Sequence, residues 1–291
     1  MKRIAIISGK GGSGKSSITA SFLALSKNTL AIDCDVDASN LYLIFNPIVD
    51  DKSIYISGKT AKIDTSKCTS CGICQKTCNF EAINIIDGKY VVDDISCEGC
   101  YLCSRVCPFG AIDMIDSGEN YIYSGKYRFG HMIYGRLSPG EDNSGKMISE
   151  LREKADKLAE DNNINCEIID GPPGIGCAVI STITGVDNIV VVSEPSLSGI
   201  SDMKRAIEVA LKFTNSIYVI INKYDLDEKN SSDIIDYCNS INVKVIAKLE
   251  FDRNMVNAML NKASIIEYSP NCQCSSEIKK AYNSIINNNC I

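Results

Sequence analysis

Gly9-Lys10-Gly11-Gly12-Ser13-Gly14-Lys15-Ser16, followed by Ser17, is the stretch that decides the fold. It fits G-x-x-x-x-G-K-[ST], a glycine loop that cradles phosphate. Ile4-Ala5-Ile6-Ile7 before it reads as a short buried strand, and Ile18, Phe22 and Leu25 after it have helical spacing. A strand feeding a glycine loop that opens a helix turns backbone N–H groups and the positive helix end toward an anion. The glycines allow close approach and positive φ. Gly11, Gly12, Ser13, Gly14 and Ser17 complete the cradle, Lys15 is placed to reach the β- and γ-phosphates, and the Ser16 hydroxyl to ligate Mg²⁺. A chance glycine turn does not account for strand, loop and helix in one register.

Two further strands end in acids. Leu30-Ala31-Ile32 runs into Asp33-Cys34-Asp35-Val36-Asp37, and Cys166-Glu167-Ile168-Ile169-Asp170 into Gly171-Pro172-Pro173-Gly174. Carboxylates at the carboxyl ends of parallel strands sit beside a phosphate crevice. The expected fold is therefore α/β, a doubly wound, mostly parallel sheet with nucleotide at the strand ends. Strands are also expected at 188–192, 216–221 and 242–249, with helices over 146–160, 201–213 and 275–286. A hairpin is expected within 119–137 and a polar loop at 138–145. Lone His131 reads as structural.

The composition changes between these acids. Cys68, Cys71, Cys74 and Cys78 repeat as Cys97, Cys100, Cys103 and Cys107, 29 residues later, with Phe80, Ala82 and Ile83 recurring as Phe109, Ala111 and Ile112. Each run has the C-x2-C-x2-C-x3-C spacing of bacterial ferredoxins. Paired zinc sites are the rival, but they favour two C-x2-C pairs over a three-cysteine loop. The segment resembles a two-cluster ferredoxin. The resemblance implies one [4Fe–4S] cluster on Cys68, Cys71, Cys74 and Cys107, and another on Cys97, Cys100, Cys103 and Cys78. The fourth cysteine, on the helix after each loop, crosses to the other cluster.

Lys10-Gly11-Gly12-Ser13-Gly14-Lys15-Ser16 resembles the deviant phosphate loop of MinD/ParA ATPases, to which the nitrogenase iron protein and Mrp-type iron–sulfur carriers are related. That resemblance implies an ATP-sandwich homodimer in which Lys10 acts on the partner's nucleotide. It implies that Asp35 positions the attacking water, that Asp33 and Asp170 serve the Mg²⁺ shell, and that Gly174 offers its N–H to the γ-phosphate. Asn222-Lys223-Tyr224-Asp225 matches the guanine-reading N-K-x-D, whereas an asparagine at this strand end in MinD-like proteins contacts adenine. The longer loop motif favours ATP. Cys177, seven residues past Asp170, has the offset of a cluster cysteine in the nitrogenase iron protein but lacks a second cysteine before the strand, and is expected to be small and buried.

The whole chain resembles MinD-superfamily ATPases with an inserted ferredoxin, the ATPase over 1–60 and 117–291 and the ferredoxin over 61–116. A net charge of −6 argues against a broad basic face for nucleic acid. No apolar run approaches membrane-spanning length. Met1 leads into the first strand without a signal segment, so a cytoplasmic protein is expected. There, 15 cysteines point to metal and not to disulfides. The final helix carries Ile278, Ala281, Tyr282, Ile285 and Ile286 on one face but only Lys279 and Lys280 as basic residues, so it is expected to dock on the core and not on a membrane. The favoured reading is an ATP-hydrolysing iron–sulfur protein that passes electrons to an unidentified partner. The alternatives are an iron–sulfur carrier, for which Cys272 and Cys274 form a close pair, and a positioning ATPase.

Overall fold

Runs of Ile, Val and Ala at the centre of the chain are buried on both faces, the pattern of parallel strands covered by helices. The computed structural model describes residues 1–56, 58–118, 120–138 and 144–287. In chain order it begins with β1 (Lys2–Ser8), α1 (Lys15–Leu25), β2 (Thr29–Asp33), α2 (Leu41–Phe45) and β3 (Ile48–Tyr55). Next come β4 (Lys59–Ile63), α3 (Ile73–Thr77), β5 (Ile83–Ile86), β6 (Lys89–Val92), α4 (Leu102–Val106) and β7 (Ile112–Asp116). Then follow β8 (Asn120–Tyr127), β9 (Gly130–Arg136), α5 (Ser144–Asp161), β10 (Cys166–Pro173), α6 (Cys177–Ile183), β11 (Asn188–Ser193) and α7 (Leu197–Ala210). The chain closes with β12 (Ile217–Asn222), α8 (Glu228–Ser240), β13 (Lys244–Leu249), α9 (Arg253–Leu260), α10 (Ile265–Tyr268) and α11 (Gln273–Asn287).

The chain divides into two compact units. The first is Met1–Ser53, Ile122–Arg136 and Ser144–Ile291; the second is Ile54–Tyr121 with the described residues of 137–143. Residues 139–143 of the expected polar loop lie outside the described residues.

The large sheet has the order β13-β12-β11-β1-β10-β2-β9-β8-β3. β1 lies between β10 and β11, both parallel to it, and β2 pairs in parallel with β10 and β9. This register sets Asp33 opposite Asp170. The hairpin forms as β8 and β9. β3 extends it as an outer strand that alternation does not betray, because nearly all of its residues are exposed. α11 lays Ile278, Ala281 and Ile285 into the core with Ile18, Phe22 and Leu23 of α1. The last helix therefore docks on the protein's own core. On the β9 side of the sheet Tyr42, Tyr134 and Tyr123 form a ladder, with ring centroids 5.1 and 5.0 Å apart.

The second unit is small. β4 pairs antiparallel with β7, and β5 with β6. Its core is Ala61, Cys74, Ile83 and Ile112. The 29-residue repeat appears in the backbone: Gly72 and Tyr101, at equivalent positions, both cap a short helix in the left-handed region, at φ 76 and 65. Cys78 and Cys107 are not on α3 and α4 but one residue past them, where the chain has already become extended. Among the described residues no helix is long and apolar enough to cross a membrane.

Candidate functional site

β1 ends at Ser8, and the loop to α1 wraps a cleft lined by Gly11 to Ser17, Asp35, Asn40, Asn222, Lys223, Phe251, Met255 and Met259, among others. Gly12 and Gly14 take φ of 80 and 91. At Gly14 a Cβ would also meet Asn222 Nδ2 at 2.2 Å, so glycine is required twice over. Asn222 ends β12 and donates from Nδ2 to the Ser13 carbonyl at 2.8 Å, tying the end of that strand to the loop. Ser13 Oγ and Asn40 Oδ1 are buried here with no hydrogen-bond partner among the described residues. Buried polar atoms left unpaired in a cleft are what a bound anion or its hydration would satisfy, so the loop fits a nucleotide's phosphates.

Lys15 is buried among acids. Its Nζ lies 3.1 Å from Asp170 Oδ1 and 3.6 Å from Asp35 Oδ2. Burial works against the ammonium, but Asp170, Asp35 and Asp33 outweigh it and hold the Lys15 pKa above its ordinary value. Asp170 also accepts from Ser16 Oγ at 2.6 Å and Thr19 Oγ1 at 2.8 Å. Burial pushes Asp35 upward against the pull of Lys15. Two carboxylates face one ammonium, with Asp33 buried behind them, a surplus of negative charge suited to a hard divalent cation. Ser16 and Asp170 are the residues that would hold Mg²⁺.

Asp33 sits differently. It does not line the cleft: one oxygen accepts from the Asp35 N–H, and the other from Ser39 Oγ and the Asn40 and Leu41 N–H groups. Burial, then the Asp170 carboxylate, raise its pKa. The structure thus places Asp33 beneath the loop as its anchor, at the N-terminus of α2. Gly174 likewise departs from expectation: its N–H donates to the Ser8 carbonyl at 2.9 Å and not into the cleft.

Lys10 is held within its own chain. Its Nζ lies 2.5 Å from Glu194 Oε1 and donates to Ser196 Oγ at 3.0 Å and Ser198 Oγ at 3.3 Å. Lys223 shares Glu194 at 3.4 Å. Glu194 escaped the sequence reading, although it stands at a strand end before Pro195 as Asp33 and Asp170 stand at theirs. Asp225 accepts from the Phe251 N–H at 2.7 Å, which ties the loop bearing Phe251 to the turn after β12.

Cys177 corrects an expectation: it is exposed at the start of α6, because that helix turns its Val179 and Ile183 face inward instead. Cys274 is buried and donates to the Glu250 carbonyl at 3.5 Å, and Cys272 contacts Ser275 Oγ at 3.3 Å, so the two thiols serve different local contacts.

In the second unit the eight repeat cysteines fall around two cavities. One is lined by Cys68, Cys71, Cys74 and Cys107, with Ile63, Ile112 and Phe109. The other is lined by Cys97, Cys100, Cys103 and Cys78, with Ala61, Ile83 and Phe80. They hold about 340 and 360 Å³ of space free of protein atoms, part of it open to solvent. Burial and the neighbouring cysteines raise the Cys74 and Cys103 pKa values, against local backbone hydrogen bonds. Crowded thiols of this kind ionise together only with a cationic partner. Among the described residues no three His, Cys, Asp or Glu side chains gather tightly enough for a single ion. The donor sets instead fit a cubane, which spreads four cysteines over four irons.

Residues 4–265 match the CbiA family, the CobQ/CobB/MinD/ParA nucleotide binding domain. The chain is 38% identical over 283 residues to the protein MJ0578 of Methanocaldococcus jannaschii, covering 96% of this chain and 95% of that one. A second protein of that organism, MJ0579, is 25% identical over 275 residues, covering 92% and 93%. Among solved structures, the septum site-determining protein MinD with Mg-ADP from Pyrococcus horikoshii aligns with a TM-score of 0.58 at 17% identity, covering 98% of this chain and 95% of that one. A ParA family ATPase from Chlorobium tepidum aligns with a TM-score of 0.54 at 16% identity, covering 98% of each. The buried Lys15 among strand-end acids, the glycine loop and the family match over 4–265 agree: the chain belongs to the CobQ/CobB/MinD/ParA nucleotide-binding family and is a P-loop ATPase of the MinD/ParA superfamily.

Proposed function

We propose that this ATPase is an iron–sulfur redox protein, in which nucleotide-driven changes of a homodimer are coupled to electron transfer through two [4Fe–4S] clusters. The observation that carries the reading is the sorting of the eight cysteines into two cavities, with Cys107 and Cys78 exchanged between repeats. When bound, the clusters supply one-electron transfer at low potential. The protein's own part is to hold them: four thiolates each, an apolar lining that limits water, and a short helix after each loop.

At the other site the chain's residues position and neutralise. Loop N–H groups and Lys15 orient the phosphates, Ser16 and Asp170 bring Mg²⁺ to them, and Asp35 accepts a hydrogen bond from the attacking water. Lys10 of the second protomer adds positive charge beside the negative charge on the oxygens of the transferring phosphoryl group. Phosphoryl transfer asks for little more than this placement and charge.

A second reading is a MinD-like positioning ATPase, favoured by the MinD and ParA structures that share the fold. Anaerobic purification separates the two. About eight irons and eight labile sulfides per chain are expected from two cubanes, with EPR midpoints that differ between nucleotide-free, ADP and non-hydrolysable ATP states. Iron-free protein with intact ATPase activity sinks the redox reading and leaves the positioning one. Loaded clusters with identical midpoints in all three states sink the coupling alone.

A further inference from the structure

The 29-residue repeat carries one cysteine cavity of the second unit onto the other. The cysteines correspond, and Ile63 and Phe109 of the first cavity stand where Val92 and Phe80 stand in the second. Three positions break the likeness. Tyr90 of the first cavity replaces Ala61 of the second, Gly72 replaces Tyr101, and Thr69 replaces Glu98.

The first two differences fit each other. Tyr90 lies on β6, half-buried, and its hydroxyl reaches over Gly72: a Cβ there would stand 2.8 Å from Tyr90 Oη. Gly72 therefore leaves room for the phenol on the loop that bears Cys68, Cys71 and Cys74. Among the described residues the Tyr90 hydroxyl has no hydrogen-bond partner, so its one proton is free to donate. In the second cavity Ala61 offers only a methyl group. Tyr101 stands there at the Gly72 position, but it is exposed and its phenol acts electrostatically on Lys59.

The third difference is one of charge. Thr69 is neutral, whereas Glu98 is a carboxylate that forms no ion pair among the described residues. Glu98 is exposed, so solvent screens it and its pull is the smaller effect. An iron–sulfur cluster gains negative charge on reduction. A hydrogen bond to its sulfur favours the reduced form, and a carboxylate beside it disfavours that form. Both differences thus act in one direction.

We propose, resting on the cluster reading above, that Tyr90 tunes one of two unequal clusters. Its hydroxyl donates to a sulfur of the cluster held by Cys68, Cys71, Cys74 and Cys107, and a single electron given to the protein by a low-potential one-electron donor resides there. The cluster held by Cys97, Cys100, Cys103 and Cys78, beside Glu98, has the lower potential. Exchange between them oxidises one cluster by one electron as it reduces the other.

The test is a redox titration of the anaerobically prepared full chain, followed by EPR, with iron counted in every sample. Two waves are expected, separated by more than tenfold in the exchange equilibrium, or about 59 mV for one electron. Tyr90→Phe keeps the ring and is expected to lower only the higher wave, by about threefold, or roughly 28 mV. Glu98→Gln is expected to raise only the lower wave, and Tyr101→Phe to move neither. Cys71→Ser identifies the first cluster by the wave it perturbs. A single midpoint for both clusters in the wild type, or a higher wave that Tyr90→Phe leaves in place at full iron content, overturns the proposal while the redox reading stands. A chain that takes up no iron overturns both.

Discussion

Lys10 Nζ and Glu194 Oε1 of the same chain are 2.5 Å apart, so the loop's first lysine is already paired before any partner arrives. A lysine that works on a second protomer's phosphate must leave this carboxylate. Burial works against the Glu194 carboxylate, but Lys10 and then Lys223 outweigh it and hold its pKa below the ordinary value.

Lys10→Ala is therefore expected to retain ATP binding and lose both hydrolysis and ATP-dependent dimerisation. Glu194→Gln is expected to shift dimerisation to about two- to fivefold lower ATP, the worth of one partly exposed ion pair. Sedimentation against ATP concentration checks both. Normal hydrolysis by a monomeric Lys10 variant contradicts the trans role.

Lys15 holds two buried carboxylates in place as well as awaiting phosphate. Lys15→Ala is expected to abolish nucleotide binding and to destabilise the nucleotide-free protein by roughly 3–5 kcal/mol, because the acids are left unpaired. Differential scanning fluorimetry should show a lowered Tm and no shift on adding Mg-ATP. A variant that melts like the wild type means that the acids relax into water.

On the proposed cluster reading, crossed ligation makes an unusual demand on mutants. Cys78→Ser lies in the first repeat, yet it is expected to perturb the cluster held by Cys97, Cys100 and Cys103. Its EPR spectrum should match that of Cys100→Ser and differ from that of Cys71→Ser. A match to Cys71→Ser means that each repeat holds its own cluster.

Arg128 clasps Glu267 through Nε at 2.6 Å and a terminal nitrogen at 3.0 Å, and donates to the Lys262, Ile44 and Phe45 carbonyls. Burial opposes the Glu267 carboxylate, but Arg128 and the Ser264 cap win and lower its pKa. A lowered folded-state value gives stability that is present above the unfolded value, near 4.5, and lost as pH falls through the folded one. Glu267→Gln is expected to cost about 1 kcal/mol at pH 7, discounted for partial exposure, and nothing once both forms are protonated. Urea unfolding at pH 7 and near pH 3 measures the difference; an equal deficit at both contradicts the assignment.

The nucleotide site was legible where chemistry is written in adjacent residues. The glycine loop, the strand-end acids and the cysteine period are each local, and each needs its spacing to work. Contacts across the chain left no such mark. Lys10 and Glu194 meet over 184 residues, and only the folded register of β1 and β11 brings them together. Asp33 and Asp35 look alike in sequence, and the turn between them decides that one lines the cleft while the other lies buried beneath it. β3 was invisible because an edge strand with both faces wet has no alternation to read.

The Asp33 carboxylate is a fulcrum. One oxygen carries Asp35, the other the first turn of α2, and Tyr42 on α2 lies flat against Tyr134. An advance of Asp35 toward a phosphate would pull on α2 through this carboxylate and shift Tyr42 against Tyr134. With no tryptophan in the chain, a shift of this ladder is expected to change the tyrosine emission on nucleotide binding, and Tyr42→Phe to diminish that change.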